Sequence, residues 1–424
     1  MEKHCDIAII GGGAVGLFAA VSILNTAAKP LSVCLFERGK RVGRKLVATG
    51  NGTCNITNQT ARKENYHGAD PAFAEALLQR FSPADTEAFF AKLGVLCVAK
   101  ESGKVYPLCE QAVAVLDALR LEAAANGVAE YCETEVQAIK PCKEAFSVVT
   151  QAGTVRAKRV LVCTGGAASP SLGGYNGAYR LLTDLGHTRT PLFPSIVQVR
   201  TDTTYIKAVK GIRVQATISF HHNGPIATET GEVLFTEYGL SGPAVMQISR
   251  CVADWERRQK GTMTAVLDLL PNWDKEALLR YLEERAKLLK DRTLEDFFTG
   301  FLNKRVGQTL LRAANITPLS RKVGSLTSQD ICRLTDAVKA WQIPVTGTQG
   351  FGGAQVTAGG IATAEFHNDT LESRLVSGLY AAGEVLDIDG DCGGYNLQFA
   401  WSSAHAAATA IVRSLEGGPS RDPH

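Results

Sequence analysis

The sequence is poor in the features that mark membrane, secreted and dithiol-dependent proteins. No apolar run in its 424 residues reaches the ~18–20 residues that a membrane helix needs. The first apolar strand runs directly into a glycine turn, so no signal peptide is expected. The 11 cysteines form no C-x-x-C pair, and their odd number is typical of free thiols in a reducing cytosol. These absences predict a cytoplasmic protein with no membrane partner.

An excess of one charge and a metal-ligand pattern are also missing. The 45 basic and 42 acidic residues leave a formal charge of +3, a balance that predicts no nucleic-acid partner. The 8 histidines show no metal-ligand spacing, and the adjacent His221 and His222 would point to opposite faces of a strand. No metal site is therefore predicted. The length predicts two or three domains, and the sequence indicates no oligomeric state.

The chain does contain, at its start, a strand, a glycine turn, a helix and a second strand. Residues 5–10 (CDIAII) have the apolar, β-branched character of a buried parallel strand. The turn that follows fits G-x-G-x-x-G, with Gly11 for the tight turn, Gly13 for approach to a pyrophosphate and Gly16 for close helix packing. The second strand ends at Glu37, where an acid binds a ribose 2′-hydroxyl and disfavours the 2′-phosphate of NADP. The unit predicts a dinucleotide site, whose turn also includes Ala14 and Val15.

A polar block at residues 43–58 (GRKLVATGNGTCNITN) has too little apolar content for a core element. It is either a surface loop or a loop whose backbone and amides bind a ligand. The basic cluster beside it (Arg38, Lys40, Arg41, Arg44 and Lys45) is likewise either solvated or phosphate-binding. On the ligand-binding interpretation, basic side chains meet the pyrophosphate and the TGNG stretch lies along the cofactor ring. The residues predicted to bind are Arg38, Arg44, Lys45, Thr49, Gly50, Asn51 and Gly52.

Two later strands also end in sequences suited to a ligand. RVLVCTGG (159–166) ends in Thr-Gly-Gly, and GLYAAGEVLD (378–387) contains an acid that could accept hydrogen bonds from ribityl hydroxyls or be a plain surface carboxylate. A small-residue helix from about Leu397 would direct its N-terminus at the N1–C2=O edge of a flavin. The cofactor contacts predicted in these parts of the chain are Thr164, Gly165, Gly166, Gly383, Glu384, Gly394, Tyr395, Asn396 and Leu397, and Val136 is predicted as a further contact.

These strand ends converge only if both ends of the chain build one domain. That topology is typical of FAD proteins rather than NAD dehydrogenases. The sequence therefore predicts an α/β fold with a Rossmann-type FAD-binding domain of the two-dinucleotide-binding flavoprotein type.

The same blocks resemble the YhiN-like flavoproteins, also called the aminoacetone oxidase family of FAD-binding enzymes. The resemblance extends from residue 7 to residue 405, and its specific parts are GRK-x₄-GNG-x-CN and GEVLD-x-DG-x-x-GGYN. It implies an FAD domain interrupted by a small β-barrel and a helical bundle. Members are associated with oxidation of amines or aminoketones and with NAD(P)H-driven reduction of unsaturated steroid-like substrates. The resemblance assigns no catalytic residue.

The middle of the chain changes character twice. From about Phe193 apolar and polar residues alternate as in antiparallel strands, and from Asn272 to about Trp341 the periodicity is helical, with a helix ending before Pro344. The predicted domains are a first FAD-binding part (1–192), an inserted β-barrel (193–271), an inserted helical part (272–345) and a second FAD-binding part (346–424).

Three functions are compatible with this sequence. The favoured hypothesis, by a small margin, is a reductase in which FAD passes hydride from NADH or NADPH to an activated double bond of a small or steroid-like substrate. The second is an oxidase of an amine or aminoketone that uses oxygen, and the third is a non-enzymatic FAD-binding sensor. The catalytic residues are not identified. Cys54 and Cys392 are either redox thiols or small packing residues, and the possible proton donors are Tyr175, Tyr238 and Tyr395.

Overall fold

The computed structural model describes residues 3–258 and 261–417. The chain forms two compact units, the first from Met1–Phe193 with Gln355–His424 and the second from Pro194–Ala354. Both terminal parts of the chain therefore belong to one unit.

The strands are, in chain order, β1 (Lys3–Ile10), β2 (Val33–Phe36), β3 (Thr57–Asn58), β4 (Tyr66–Gly68), β5 (Cys97–Ala99), β6 (Lys104–Pro107), β7 (Ala129–Tyr131), β8 (Val136–Cys142), β9 (Ala145–Thr150), β10 (Gly153–Val162), β11 (Phe193–Ser195), β12 (Val199–Thr201), β13 (Arg213–His221), β14 (Pro225–Phe235), β15 (Gly239–Ser241), β16 (Met263–Asp268), β17 (Trp341–Thr348), β18 (Val356–Ala358), β19 (Leu379–Ala381) and β20 (Ile388–Gly390).

The α-helices are α1 (Ala14–Thr26), α2 (Arg44–Ala48), α3 (Pro71–Leu78), α4 (Pro83–Lys92), α5 (Ala112–Ala125), α6 (Arg180–Thr183), α7 (Pro243–Arg258), α8 (Lys275–Leu288), α9 (Lys304–Ala313), α10 (Ser328–Lys339), α11 (Gly350–Gly353) and α12 (Tyr395–Leu415).

The first unit is built on a sheet in which strands from distant parts of the chain lie side by side. The strand order is β7-β2-β1-β10-β9-β8, and β19 pairs with the C-terminal half of β10. The pairings β2–β7, β1–β2, β1–β10 and β10–β19 are parallel. Ile10 pairs with both Phe36 and Val162, and Val162 pairs with Ala381. The carboxyl ends of four strands therefore form one edge, as predicted for a Rossmann-type FAD-binding fold.

Two long helices, α1 and α12, pack against each other beside this sheet. Both are rich in small residues, and alanines such as Ala19, Ala20 and Ala407 are fully buried, which allows close approach of the two backbones. Phe18 of α1 lies 5.1 Å from the Trp401 ring of α12. This packing positions α12 beside α1, and residues 391–394 connect the end of β20 to the first turn of α12.

The second unit contains a closed six-stranded antiparallel barrel, in the order β12-β15-β14-β13-β16-β17. Alternate residues of β13, namely Ala216, Ile218 and Phe220, are fully buried, which is the period-2 pattern of a strand with one face in a core. The core of the unit also includes helical residues from α8, α9 and α10. The predicted barrel is thus confirmed.

The sequence did not predict strand β17. Helix α10 ends at Lys339, and Trp341–Thr348 then closes the barrel, so the predicted boundary at residue 345 falls inside a strand. Buried Trp341, Ile343 and Val345 alternate with exposed residues, whereas Pro344 in the sequence indicates only the end of a helix. The domain boundaries themselves stay a prediction. Helices α1 and α12 begin two to three residues before the predicted Leu17 and Leu397.

No helix of the described residues is long and apolar enough to cross a membrane.

Candidate cofactor site

The three glycines of the turn after β1 differ in what surrounds them. Gly11 has φ +113°, and a Cβ there would lie 2.4 Å from the Cys163 carbonyl oxygen. A Cβ on Gly16 would lie 2.0 Å from the Gly11 carbonyl oxygen, whereas a Cβ on Gly13 would have no neighbour within 4 Å. Gly11 and Gly16 thus allow close backbone packing, and Gly13 leaves open the side from which a ligand reaches the N-terminus of α1. Ala14 and Val15 form the first turn of that helix.

Glu37 is held rigidly at the end of β2. Its Oε2 accepts a hydrogen bond from the Gly12 N–H (3.0 Å) and its Oε1 accepts one from the Gly39 N–H (2.6 Å). Thr134 N–H donates to the Glu37 carbonyl oxygen at 2.9 Å, which brings the start of β8, where Val136 is buried, close to this strand end. A carboxylate fixed in this way retains acceptor capacity for a ribose hydroxyl.

The predicted basic residues have three different partners. Lys45 Nζ lies 2.6 Å from Glu384 Oε2, which joins α2 to the segment after β19. Arg44 donates to the Ser171 carbonyl oxygen at 2.5 Å. The Arg38 guanidinium lies 4.2 Å from the centre of the Tyr175 ring. The Tyr175 ring therefore packs against a cation, and its role as a proton donor stays a prediction.

The TGNG stretch has an unusual backbone. After Thr49, Gly50 (φ 57°), Asn51 (φ 54°), Gly52 (φ 92°) and Cys54 (φ 58°) all have left-handed φ values. Such conformations cost of order 1–3 kcal/mol for a non-glycine residue and concentrate at functional sites. Since a Cβ on Gly52 would have no neighbour within 4 Å, the loop is open on that side.

The two thiols of this region are poorly suited to redox chemistry. Cys54 is completely buried, and burial raises the pKa of its thiol to about 12. Burial also raises the pKa of Cys392, although the nearby Lys104 ammonium opposes the shift. Because a thiolate is the reactive form, packing is the better explanation for both residues.

The segment after β10 meets the segment after β19. A Cβ on Gly166 would lie 2.3 Å from Thr357 Oγ1 and 2.6 Å from Glu384 Oε1, and one on Gly383 (φ 76°) would lie 2.4 Å from Val15. Glu384 Oε1 also accepts a hydrogen bond from the Thr357 N–H at 2.9 Å. Glycine is thus required at both positions, and Glu384 is fixed between Thr357 and Lys45.

The N-terminus of α12 faces the same region of the first unit. Gly394 has φ 96° at the N-cap position, and Tyr395, Asn396 and Leu397 form the first turn. Asn396 uses its side chain within the protein, since Oδ1 accepts from the Gly390 N–H (2.8 Å) and Nδ2 donates to the Gly390 carbonyl oxygen (2.7 Å). The first-turn N–H groups, which no helix satisfies internally, are the better candidates for ligand binding.

Two polar atoms of these segments are buried without a partner. They are Thr164 Oγ1, next to Gly165 after β10, and Asn55 Oδ1, next to the TGNG stretch. A buried polar atom left unpaired costs ~1–3 kcal/mol, so a ligand group that pairs with either atom would be stabilised there. With the open side of Gly13 and the fixed carboxylate of Glu37, the residues fit a bound FAD.

The sequence prediction missed Asn55 and Thr357. Asn55 belongs to the GNG-x-CN block, so the signal for it was present. Thr357 carries no such signal, because its contact with Glu384 depends on pairing between distant segments.

The remaining candidates lie elsewhere. Tyr238 belongs to the second unit. His221 Nε2 is 2.8 Å from Ser219 Oγ, and His222 Nδ1 is 2.8 Å from the Thr262 carbonyl oxygen, so the two rings have separate partners. Among the described residues no three His, Cys, Asp or Glu side chains are grouped so that they could hold a metal ion.

Comparison with known proteins identifies relatives along the whole chain. The family described as "HI0933-like protein Rossmann domain" matches residues 5–410. A 3-dehydro-bile acid delta(4,6)-reductase from Clostridium scindens is 36% identical over 410 residues, which is 96% of this chain and 98% of the relative. A ribosomal RNA dihydrouridine synthase from Haemophilus influenzae is 30% identical over 426 residues, covering 97% of this chain and 100% of the relative.

A solved structure shares the fold. The 3-ketosteroid delta1-dehydrogenase from Sterolibacterium denitrificans, in complex with 1,4-androstadiene-3,17-dione, is 12% identical, with a TM-score of 0.50 over 97% of this chain and 100% of that one. At this identity the likeness concerns the fold alone. The predicted exclusion of nucleic acid has no support, because one of the relatives is named for a ribosomal RNA modification.

Proposed function

The chain belongs to the HI0933-like family, and we propose that it is an FAD-dependent reductase that saturates a carbon–carbon double bond conjugated with a carbonyl group. The proposed reductant is NADH or NADPH, and the proposed substrate is a small steroid-like enone. The observation that carries the proposal is the 36% identity to a delta(4,6)-reductase along nearly the whole of both chains.

The direction of the reaction is supported by the names of two relatives together. A delta(4,6)-reductase of a 3-dehydro bile acid and a dihydrouridine synthase both name the addition of hydrogen across a double bond near a carbonyl group. Such a reaction consumes NAD(P)H and one proton and leaves NAD(P)⁺ and the saturated ketone. An oxidase of amines or a non-enzymatic sensor has no comparable support.

The residues of the first unit suit this chemistry. Bound FAD would supply the two-electron step. Gly13 and the N-terminus of α1 would bind its pyrophosphate, and Glu37 would bind the ribose of its adenosine. The N-terminus of α12 would stabilise negative charge on the pyrimidine edge of the reduced ring. No second G-x-G-x-x-G occurs in the chain, so the nicotinamide nucleotide would bind transiently.

The experiment is an anaerobic absorbance measurement on the protein loaded with FAD. Adding NADH or NADPH should bleach the flavin bands, and a 3-keto-Δ4 steroid should then restore them, with a product heavier by two hydrogens. A flavin that both nucleotides leave oxidised would contradict the reductase. Hydrogen peroxide formed with an amine or aminoketone would instead support the oxidase.

Uridine in ribosomal RNA is the second candidate substrate. It is favoured by the 30% identity to a dihydrouridine synthase over 97% of this chain. The formal charge of +3 gives no marked attraction to RNA, which places this substrate second. Unmodified ribosomal RNA in the same assay distinguishes the two, since only the true substrate restores the flavin bands.

The proposed function includes a cytoplasmic location for the protein. All 11 cysteines are free, as is usual in a reducing compartment, and NAD(P)H is available in the cytoplasm. A cytoplasmic location with a small-molecule substrate follows from the proposed reaction.

A further inference from the structure

We propose that Asn55 recognises the N3–H group of the flavin ring. This inference rests on the proposed FAD site and adds a residue with a stated partner atom to it. It starts from Asn55 Oδ1, which is buried without a hydrogen-bond partner. A buried amide oxygen needs an N–H or O–H donor.

The backbone around Asn55 is fixed on both sides. The Cys54 N–H donates to the Thr49 carbonyl oxygen (3.0 Å), and the Ile56 N–H donates to the Val105 carbonyl oxygen (2.8 Å). The left-handed φ of 58° at Cys54 turns the chain immediately before Asn55. The backbone of Asn55 is therefore held by its neighbours, and its side chain extends from a defined point of the fold.

The unpaired oxygen lies beside the N-terminus of α12. A Cβ added to Gly394 would be 2.9 Å from Asn55 Oδ1 and 2.6 Å from the Thr57 carbonyl oxygen. The first bond within the helix runs from the Gln398 N–H to the Gly394 carbonyl oxygen (2.9 Å). The N–H groups of residues 395–397 thus have no partner within the helix, and this set of donors adjoins one unpaired acceptor, Asn55 Oδ1.

This alternation of donor and acceptor matches one edge of the isoalloxazine ring. C2=O is an acceptor that suits the helix N-terminus, and the neighbouring N3–H is the only N–H group of the oxidised ring system. The adenine amino group is excluded as the donor, since Glu37 and the turn after β1 define the adenosine end. Among the ring atoms, N3–H is the group that pairs with Asn55.

The test compares FAD with N3-methyl-FAD, in which the donor is replaced by a methyl group. The apoprotein of the full chain is titrated with each flavin, and the dissociation constant is read from flavin fluorescence. The wild type should bind FAD at least about tenfold more tightly, as expected for loss of a buried hydrogen bond. Asn55→Ala should bind FAD more weakly and bind both flavins within about twofold of each other.

Asn58→Ala is the matched control, because the Asn58 amide is already bonded to the Gly393 carbonyl oxygen (2.9 Å) and to Thr60. It should keep the wild-type ratio of the two constants. Equal binding of the two flavins by the wild type would by itself overturn the inference. So would an Asn55→Ala variant whose dissociation constants for FAD and N3-methyl-FAD differ as much as those of the wild type. A wild type that binds neither flavin would overturn the proposed FAD-dependent function itself.

Discussion

At the scale of single residues, Gly13 and Gly16 of the same glycine motif differ in whether the fold leaves room for a side chain. A Cβ on Gly13 would have no neighbour within 4 Å, while one on Gly16 would lie 2.0 Å from a backbone oxygen. Gly13 also has an ordinary φ of −82°. If FAD binds as proposed, Gly13 serves the ligand, whereas Gly16 serves the packing of the fold.

Gly13→Ala should fold but lose FAD affinity. The apoprotein should change in free energy of unfolding by less than about 1 kcal/mol, because only an N-cap glycine is altered. The methyl group would occupy the approach to the pyrophosphate and weaken FAD binding by at least about tenfold, or ~1.4 kcal/mol. Urea unfolding and a fluorescence titration measure the two effects.

Gly16→Ala is the matched comparison. Its methyl group must displace backbone, so the free energy of unfolding should fall by about 3 kcal/mol or more. If Gly13→Ala bound FAD as tightly as the wild type, the proposed position of the pyrophosphate would be wrong.

A second residue-scale prediction concerns His187, whose ring is buried in the first unit. Its Nδ1 lies 2.9 Å from Glu365 Oε2 and its Nε2 lies 2.9 Å from Ser373 Oγ. Burial lowers the pKa of His187, although Glu365 partly opposes the shift. The folded protein therefore favours the neutral ring. Its contribution to stability is fully present above the unfolded pKa of ~6.5 and is lost as the pH falls below that value.

The free energy of unfolding should consequently decline between pH 7.5 and pH 5.5 in urea titrations. His187→Gln should decline less steeply, because one group that takes up a proton on unfolding is gone. Some decline of the free energy of unfolding with falling pH should remain in this variant, since burial also lowers the pKa of His405. The lowered pKa of Glu365 adds a further loss of stability at more acidic pH. An unchanged slope in His187→Gln would contradict the assigned ionisation.

At the scale of elements, local signals were sufficient for some parts of the molecule and insufficient for others. Strand β1, its glycine turn and α1 could be predicted, because apolar runs and glycines encode them within a few residues. Strand β17 could not, since Pro344 resembles a helix stop and the strand is specified by its pairing with β12 and β16. The ion pair between Lys45 and Glu384 (2.6 Å) was equally hidden from the sequence, because the two residues are 339 positions apart.

Helix α12 shows the same limit at the candidate site. Its composition predicted a helix, but the position of Gln398 within it is defined only by other elements. The buried Gln398 amide accepts from Thr57 (2.5 Å) and Thr86 (2.9 Å) and donates to the Phe81 carbonyl oxygen (3.1 Å). These bonds hold the first turn of α12 beside β3, where Asn55 and Gly394 meet. The residue types at the site were thus predictable, whereas their mutual positions require tertiary contacts.

At the scale of the whole molecule, the backbone pairing at the ends of each unit is made by residues of that same unit. In the second unit β12 and β17, its first and last barrel strands, pair with each other, as in Val199↔Thr348 and Arg200↔Gly347. In the first unit the Thr190 N–H donates to the Gly360 carbonyl oxygen at 2.8 Å. The chain therefore leaves and re-enters the first unit at nearby points.

The two units should fold separately. Residues 194–354 expressed alone should unfold cooperatively in a thermal circular dichroism scan, because the barrel needs no strand from outside. The first unit should fold when residues 194–354 are replaced by about eight Gly/Ser residues, which span up to roughly 25 Å. Since every residue predicted to bind FAD belongs to the first unit, the shortened protein should bind FAD within about tenfold of the full chain.

The control for the shortened protein is the same chain carrying Gly13→Ala, which should fold equally well and lose the flavin. Loss of FAD from a shortened protein that still unfolds cooperatively would contradict the assignment of the cofactor to the first unit. Retention of FAD would instead show that the second unit contributes little to cofactor affinity. Its effect on the reaction could then be measured separately, by comparing steroid-dependent reoxidation of the flavin in the two proteins.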